Sequence, residues 1–263
     1  MSLLNLDDYF NRVGLKSSPS ISETGLHELH IAQFYVIPFE NLNIHLGLGI
    51  NVDSESIIQK LIYKKRGGYC FELNGLMLLV LNELGFRARP LLARVHMGNP
   101  PSGRTHQLNL VVIKNRKWII DVGFGAGGFR NPIPLEVGEY KQDANVEIRL
   151  SKHSELGWLY ETKEKDVWKE SYSFELATVI HSDIVLGNHF TTTSSLAHFT
   201  KVKTASLPTK NGRISLNETL FTRIDNGDIT KRYISKDHRY LSLLKSEFGI
   251  ELDVSFEEFK PLY

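Results

Sequence analysis

Residues 66–74 read Arg66-Gly67-Gly68-Tyr69-Cys70-Phe71-Glu72-Leu73-Asn74: two glycines, then almost at once the chain's single cysteine. The glycines break whatever helix precedes them. Beyond them the rows Leu73, Met77, Leu81 and Leu76, Val80, Leu84 recur at helical spacing, so the pattern predicts a core helix over about 70–84 with Gly85 as its stop. Cys70 then stands at a helix N-terminus, where unsatisfied N–H groups and the positive end of the helix dipole favour thiolate over thiol. Gly67 and Gly68 are expected to let the backbone approach a substrate closely. A lone cysteine is more often a small core residue; the helix start makes this one a candidate nucleophile.

Working outward, the first third of the chain carries helix signals. Leu6, Tyr9, Phe10 and Val13 share a face; Ser20 with Glu23 suggests a capping box opening a helix that stops before Pro38; and a helix beginning at Asp53 or Ser54 packs Ile57, Ile58, Leu61 and Ile62. From Phe86 the pattern turns to short β-rich runs at 89–96, 106–113, 117–122 and 146–150. Asn115-Arg116 suggests a hairpin between two of them. Asn211-Gly212 and Asn226-Gly227 mark further tight turns, and residues 235–248 return to helical spacing before Gly249. The layout is helices, then an antiparallel sheet or barrel, then mixed structure.

A nucleophilic thiol needs a base, and the base needs an acceptor to orient it. His106, opening one strand, and Asp121, ending the next, form the best pair, since the intervening hairpin sets them on neighbouring strands. Each of the ten histidines has an ordinary packing role as its alternative. His27 and His30 lie three apart on a predicted helix, but without a third ligand nearby they are expected to pack rather than bind metal.

Composition narrows the partners. The chain has 263 residues, 41% of them hydrophobic, and a formal charge of +1, too small for a dedicated nucleic-acid or membrane-surface binder. One cysteine excludes an intramolecular disulfide and fits a reducing compartment, so a cytoplasmic setting is expected. The N-terminus lacks a secretory signal and no run reaches the ~18 apolar residues of a membrane span.

Residues 66–74 resemble the Arg-Gly-Gly-x-Cys-x-Glu-x-Asn signature of the arylamine N-acetyltransferases. Thr105-His106 with its alternating apolar strand resembles that family's histidine strand, Asp121-Val122-Gly123-Phe124-Gly125 its aspartate loop, and Pro38-Phe39-Glu40-Asn41-Leu42 its early Pro-Phe-Glu-Asn-Leu element. The likeness runs in order from Pro38 to Gly125. It thins beyond residue 130, where 188–195 resemble a later segment but Ser195 and Ala197 stand where a proline and another serine are expected.

The resemblance implies an α+β fold: an N-terminal helical bundle (1–86), an antiparallel β-barrel domain (87–190) and a C-terminal α/β lid (191–263) around a papain- or transglutaminase-like Cys-His-Asp core. It implies ping-pong transfer of acetyl from acetyl-CoA to arylamines or arylhydrazines, without metal, through Cys70, His106 and Asp121. Phe39, Val95, Phe124, Phe129 and Phe190 are expected to line the acceptor pocket. Ser102, Gly103, Arg104, Thr105, Gly125, Gly127 and Thr193 are expected to meet the coenzyme. The competing readings are a cysteine peptidase, a transglutaminase-like enzyme or an amide synthase using the same thiol, and a non-catalytic binder of coenzyme A or an aromatic ligand.

Overall fold

The computed structural model describes residues 4–98, 100–142 and 146–260. Helix α1 (Leu6–Val13) is capped by Asn5 and ended by left-handed Gly14. Helix α2 (Glu23–Phe34) is capped by Ser22, whose side chain accepts from Gly25 N at 3.1 Å. The expected Ser20–Glu23 box is therefore corrected: Ser20 Oγ contacts Ser22 Oγ at 2.7 Å and the helix starts from the later serine. A two-residue strand β1 (Phe39–Glu40) and a single turn α3 (Leu42–His45) follow. Helix α4 (Ser54–Ile58), capped by Asp53, widens into a π-helical turn over Gln59–Tyr63. Helix α5 (Cys70–Glu83) then begins at the cysteine. The inner faces of these helices meet in one apolar cluster that includes Tyr9, Leu26, Leu61, Phe71, Leu76 and Leu81.

Eight strands come next: β2 (Arg87–Val95), β3 (Arg104–Ile113), β4 (Arg116–Ile120), β5 (Ile133–Pro134), β6 (Gly138–Lys141), β7 (Glu147–His153), β8 (Gly157–Glu164) and β9 (Val167–Phe174). They pair antiparallel in the order β5-β4-β3-β2-β9-β8-β7-β6. The sheet curls into a nearly closed barrel whose free edges are linked where Asn131 donates through its backbone N–H to Gln142 Oε1 at 2.8 Å. Such pairing leaves little open edge to template aggregation. The β3–β4 hairpin forms as expected, with its turn one residue earlier: Lys114 and Asn115 take φ of 48° and 66°, and Arg116 opens β4 opposite Ile113. The barrel's interior is a second cluster built on Leu91, Leu108, Phe129, Tyr160 and Tyr172.

Helix α6 (His181–Thr193) crosses to a second sheet of β10 (Thr204–Thr209), β11 (Gly212–Asn217), β12 (Leu220–Asp225) and β13 (Asp228–Tyr233), backed by α7 (His238–Phe248). Asn226-Gly227 is the β12–β13 turn, whereas at the β10–β11 hairpin Gly212 already belongs to β11, opposite Thr209. The edge partner of β10 comes from far away in sequence: β1 pairs antiparallel with it, Phe39 opposite Ser206 and Glu40 opposite Ala205. The same Phe39 bridges Gly68, so β1 ties the C-terminal sheet to the loop before Cys70.

Candidate active site

Helix α5 opens on Cys70 because the cap is supplied from inside the helix: Glu72 Oε2 accepts the backbone N–H of Tyr69 at 3.0 Å. The glycines ahead of it pack against protein, which corrects the expectation that they face a substrate. A Cβ at Gly67 would stand 2.3 Å from Pro38 O and one at Gly68 2.8 Å from Glu72 Cβ. The loop is thereby pressed onto β1 and α5. The thiol is 3% exposed, and its Sγ lies 3.8 Å from Thr105 O, beside the strand that carries His106.

His106 and Asp121 meet as the hairpin predicts. His106 Nε2 donates to Asp121 Oδ2 at 2.8 Å, both side chains being buried. Three more donors surround the carboxylate: Tyr172 Oη on Oδ2 at 3.0 Å, and Asn74 Nδ2 and Gly123 N on Oδ1, each at 2.9 Å. Burial works against the carboxylate, but His106, Asn74 and Gly123 together hold Asp121 below the usual carboxylate range. Burial likewise pulls the imidazole down, and it is outweighed by the Asp121 charge and hydrogen bond, with Cys70 adding to the rise, so His106 lies above its ordinary value. The arrangement favours an imidazolium oriented by Asp121 next to a thiol.

These groups open on a cleft of about 760 Å³ between barrel, α6 and the C-terminal sheet. Phe39, Val95, Phe124 and Phe190 line it together with Cys70 and His106, as do Ser102, Thr105, Gly125 and Gly127. Phe129 does not: it is fully buried in the barrel, edge-on to Tyr160 with ring centroids 4.6 Å apart, so its expected place in the pocket is corrected to a place in the core behind it. Gly103 is exposed to solvent next to the cleft-lining Ser102, Arg104 is ion-paired with Glu175, and Thr193 donates to His189 O at 2.7 Å; none of the three lines the cleft. His27 packs edge-on against Trp118, while His30 Nε2 meets Phe129 O at 2.7 Å.

A family model described as N-acetyltransferase matches residues 24–256. The arylamine N-acetyltransferase of Escherichia coli K12 is 34% identical over 253 residues, covering 94% of this chain and 89% of that protein. The chain belongs to the arylamine N-acetyltransferase family. Like its relatives it is an acyltransferase. The solved arylamine N-acetyltransferase of Salmonella typhimurium superposes with a TM-score of 0.90 at 31% identity, covering 96% of this chain and 95% of that one. The Mycobacterium marinum arylamine N-acetyltransferase solved in complex with CoA gives 0.87 at 28% identity, with coverages of 94% and 93%. A Bacillus cereus arylamine N-acetyltransferase, 26% identical with a TM-score of 0.86 over 94% of this chain and 98% of that one, is described as having a Cys-His-Glu triad. In this chain the acid beside the histidine is Asp121.

Sequence reasoning missed several side chains at this site. Tyr172, on β9, carried no signal, because only barrel closure brings residue 172 beside residue 121. Asn74 was visible as part of a motif but not as the amide that joins Gln107 O, Asp121 and the N–H of Val122. The far wall of the cleft was also unread: Phe199 and Leu196 precede a polar face made by Thr204, Ser206, Ser215 and Asn217 of β10 and β11. Of the two positions that depart from the family pattern, Ala197 lines the cleft and Ser195 does not.

Proposed function

We propose that this acyltransferase moves acetyl from acetyl-CoA to arylamines and arylhydrazines by a ping-pong reaction through acetyl-Cys70. The observation that carries the proposal is the chain Asp121–His106–Cys70 at the floor of a cleft with one aromatic and one polar wall. Cys70 Sγ attacks the thioester carbonyl while His106 holds the thiol's proton. The tetrahedral intermediate collapses, the C–S bond to coenzyme A breaks, and its leaving sulfur takes the proton from His106. The amine then attacks acetyl-Cys70, His106 accepts an amine proton, and the Cys70 C–S bond breaks to release the amide. Backbone N–H groups at the start of α5 are the candidate donors to the oxyanion. Asp121 holds the imidazole and offsets its positive charge at both steps. The reaction as written uses no metal.

Phe39, Val95, Phe124 and Phe190 would hold the aromatic acceptor; Ser102, Thr105, Gly125 and Gly127 would meet the coenzyme. The relative solved with CoA supports the donor, and the relatives' names support the acceptor class. We read the chain as divided at 1–86, 87–190 and 191–263; the barrel's own apolar cluster supports a separate middle unit, while the first cluster reaches across to Val111 and Ile120 and α6 runs across the second boundary. We read the setting as cytoplasmic and the role as acetylation of foreign aromatic amines; the lone cysteine supports the first. Among the described residues no helix is long and apolar enough to cross a membrane. Incubation with acetyl-CoA followed by intact-mass measurement tests the central step. A single acetyl adduct, discharged by an arylamine and missing in Cys70→Ala, is expected; no Cys70-dependent adduct would overturn the proposal.

A further inference from the structure

The loop entering Cys70 rests on four buried charges. Lys60, in the π-helical turn, is only 8% exposed, and its Nζ lies 2.8 Å from Glu72 Oε1 and 3.5 Å from Glu40 Oε1. Neighbouring Lys64 and Lys65 are exposed. Arg66 Nη2 donates to the same Glu40 oxygen at 2.7 Å, and Leu42 N–H donates to the other, Oε2, at 2.8 Å. Glu72 uses its second oxygen on the N–H of Tyr69, the residue bonded directly to Cys70. Thus Lys60 touches one end of a carboxylate whose other end holds the Gly68–Tyr69 peptide, one residue ahead of the nucleophile.

A carboxylate buried this deeply takes up a proton unless a cation is at hand. Burial and Glu40 both push Glu72 above the ordinary carboxyl range, and Lys60 opposes them. The other charged groups nearby do not substitute. Arg66 is turned to Glu40 and to Asn43 Oδ1, and the Tyr69 hydroxyl is turned away to Asn188. A protonated Glu72 would be a weaker acceptor for Tyr69 N–H, since hydrogen bonds to a charged partner are the stronger ones.

We propose that Lys60 is a positioning residue for the nucleophile: it keeps Glu72 ionised, and ionised Glu72 fixes the Gly68–Tyr69 peptide that leads into Cys70, so that the thiol stays aligned on His106. This rests on the reading of Cys70 as the nucleophile. The π-helical turn gains a purpose, since such widened turns recur at functional sites.

The test measures alkylation of Cys70 by iodoacetamide from about pH 5.5 to 9 in wild type, Lys60→Met and Lys60→Arg, with melting temperature recorded alongside. Relative to wild type, Lys60→Met is expected to react about tenfold more slowly at the acid end, with the deficit closing as pH rises and Glu72 ionises. Lys60→Arg is expected to follow wild type throughout. A deficit equal at every pH would reveal a purely structural role and overturn the proposal, as would no deficit at all. Should Lys60→Met fail to fold, Glu72→Gln supplies the neutral acceptor directly: a pH-independent deficit supports the proposal and wild-type alkylation overturns it. Alkylation needs no acyl donor, so failure here is distinguishable from failure of the acetyl-transfer reading, which shows as a missing acetyl adduct.

Discussion

Tyr172 and His106 share one oxygen of Asp121: the phenol donates to Oδ2 at 3.0 Å and the imidazole Nε2 to the same atom at 2.8 Å. Their rings also pack, with centroids 5.1 Å apart. The phenol therefore steadies both the carboxylate's rotation and the imidazole's plane. Hydrogen bonds to charged groups contribute about 1.5–3 kcal/mol, so Tyr172→Phe is expected to slow acetylation of Cys70 about tenfold or more while the fold persists. Single-turnover kinetics with acetyl-CoA, compared with circular dichroism, checks both halves of the statement.

The His106–Asp121 pair makes stability depend on pH in a stated direction. A raised imidazole pKa adds stability that is complete below the unfolded value of about 6.5 and is lost as pH rises through the folded value. A depressed carboxyl pKa adds stability present above about 3.9 and lost as pH falls through its folded value. Both contributions are complete between these limits. The melting-temperature advantage of wild type over His106→Gln should accordingly shrink as the buffer is taken from about pH 6 to alkaline pH; an advantage that grows instead contradicts the pair.

Gly123 sits where three functional elements converge. A Cβ there would lie 2.5 Å from Asn74 Nδ2 and 2.9 Å from Cys70 Cα, and neither neighbour can retreat without breaking a contact to Asp121 or shifting the helix start. Gly123→Ala is expected to cost about 1–3 kcal/mol of stability, as overpacking does, and to lower kcat more than it raises KM for acetyl-CoA. Chemical denaturation and steady-state kinetics on the same preparation measure the two effects.

Two phenylalanines of one loop should separate cleanly. Phe124 lines the cleft and stands edge-on to His106 at 5.0 Å, whereas Phe129 is wholly enclosed in the barrel. Phe124→Leu is expected to raise KM for arylamines several-fold with little change in melting temperature. Phe129→Ala should lose about 3–5 kcal/mol of stability, and urea titration would expose the difference.

Local chemistry is what the chain displays openly. The α5 start at Cys70, its apolar rows and the hairpin that carries His106 toward Asp121 all follow from neighbours within a few residues, and each stands in the structure within two residues of its expected bounds, with Asp121 just beyond the end of β4. The inner cap by Glu72 was part of a visible motif, yet its tie to Lys60 depends on a π-helical turn for which spacing gives no sign. Tyr172 reaches Asp121 only because β2 pairs with β9 across the barrel, and Phe129 leaves the cleft for the same reason: closure gives that ring an interior to fill. Gly125 and Gly127 are expected at the coenzyme, but in the same loop Gly123 is a packing necessity against Asn74 and Cys70. Pairings of long sequence separation decide these cases, and no periodicity encodes them.

Strand β1 has a consequence for synthesis of the chain. Phe39 and Glu40 find their sheet partners at Ser206 and Ala205, so the strand that braces Gly68 has no sheet to join until residues 205 and 206 have left the ribosome. Proteins tend to acquire structure from the N-terminus as they emerge, yet here the first strand of the chain waits for the tenth. The nascent chain thus carries Cys70 through much of translation before the strand that braces its loop is itself held in a sheet.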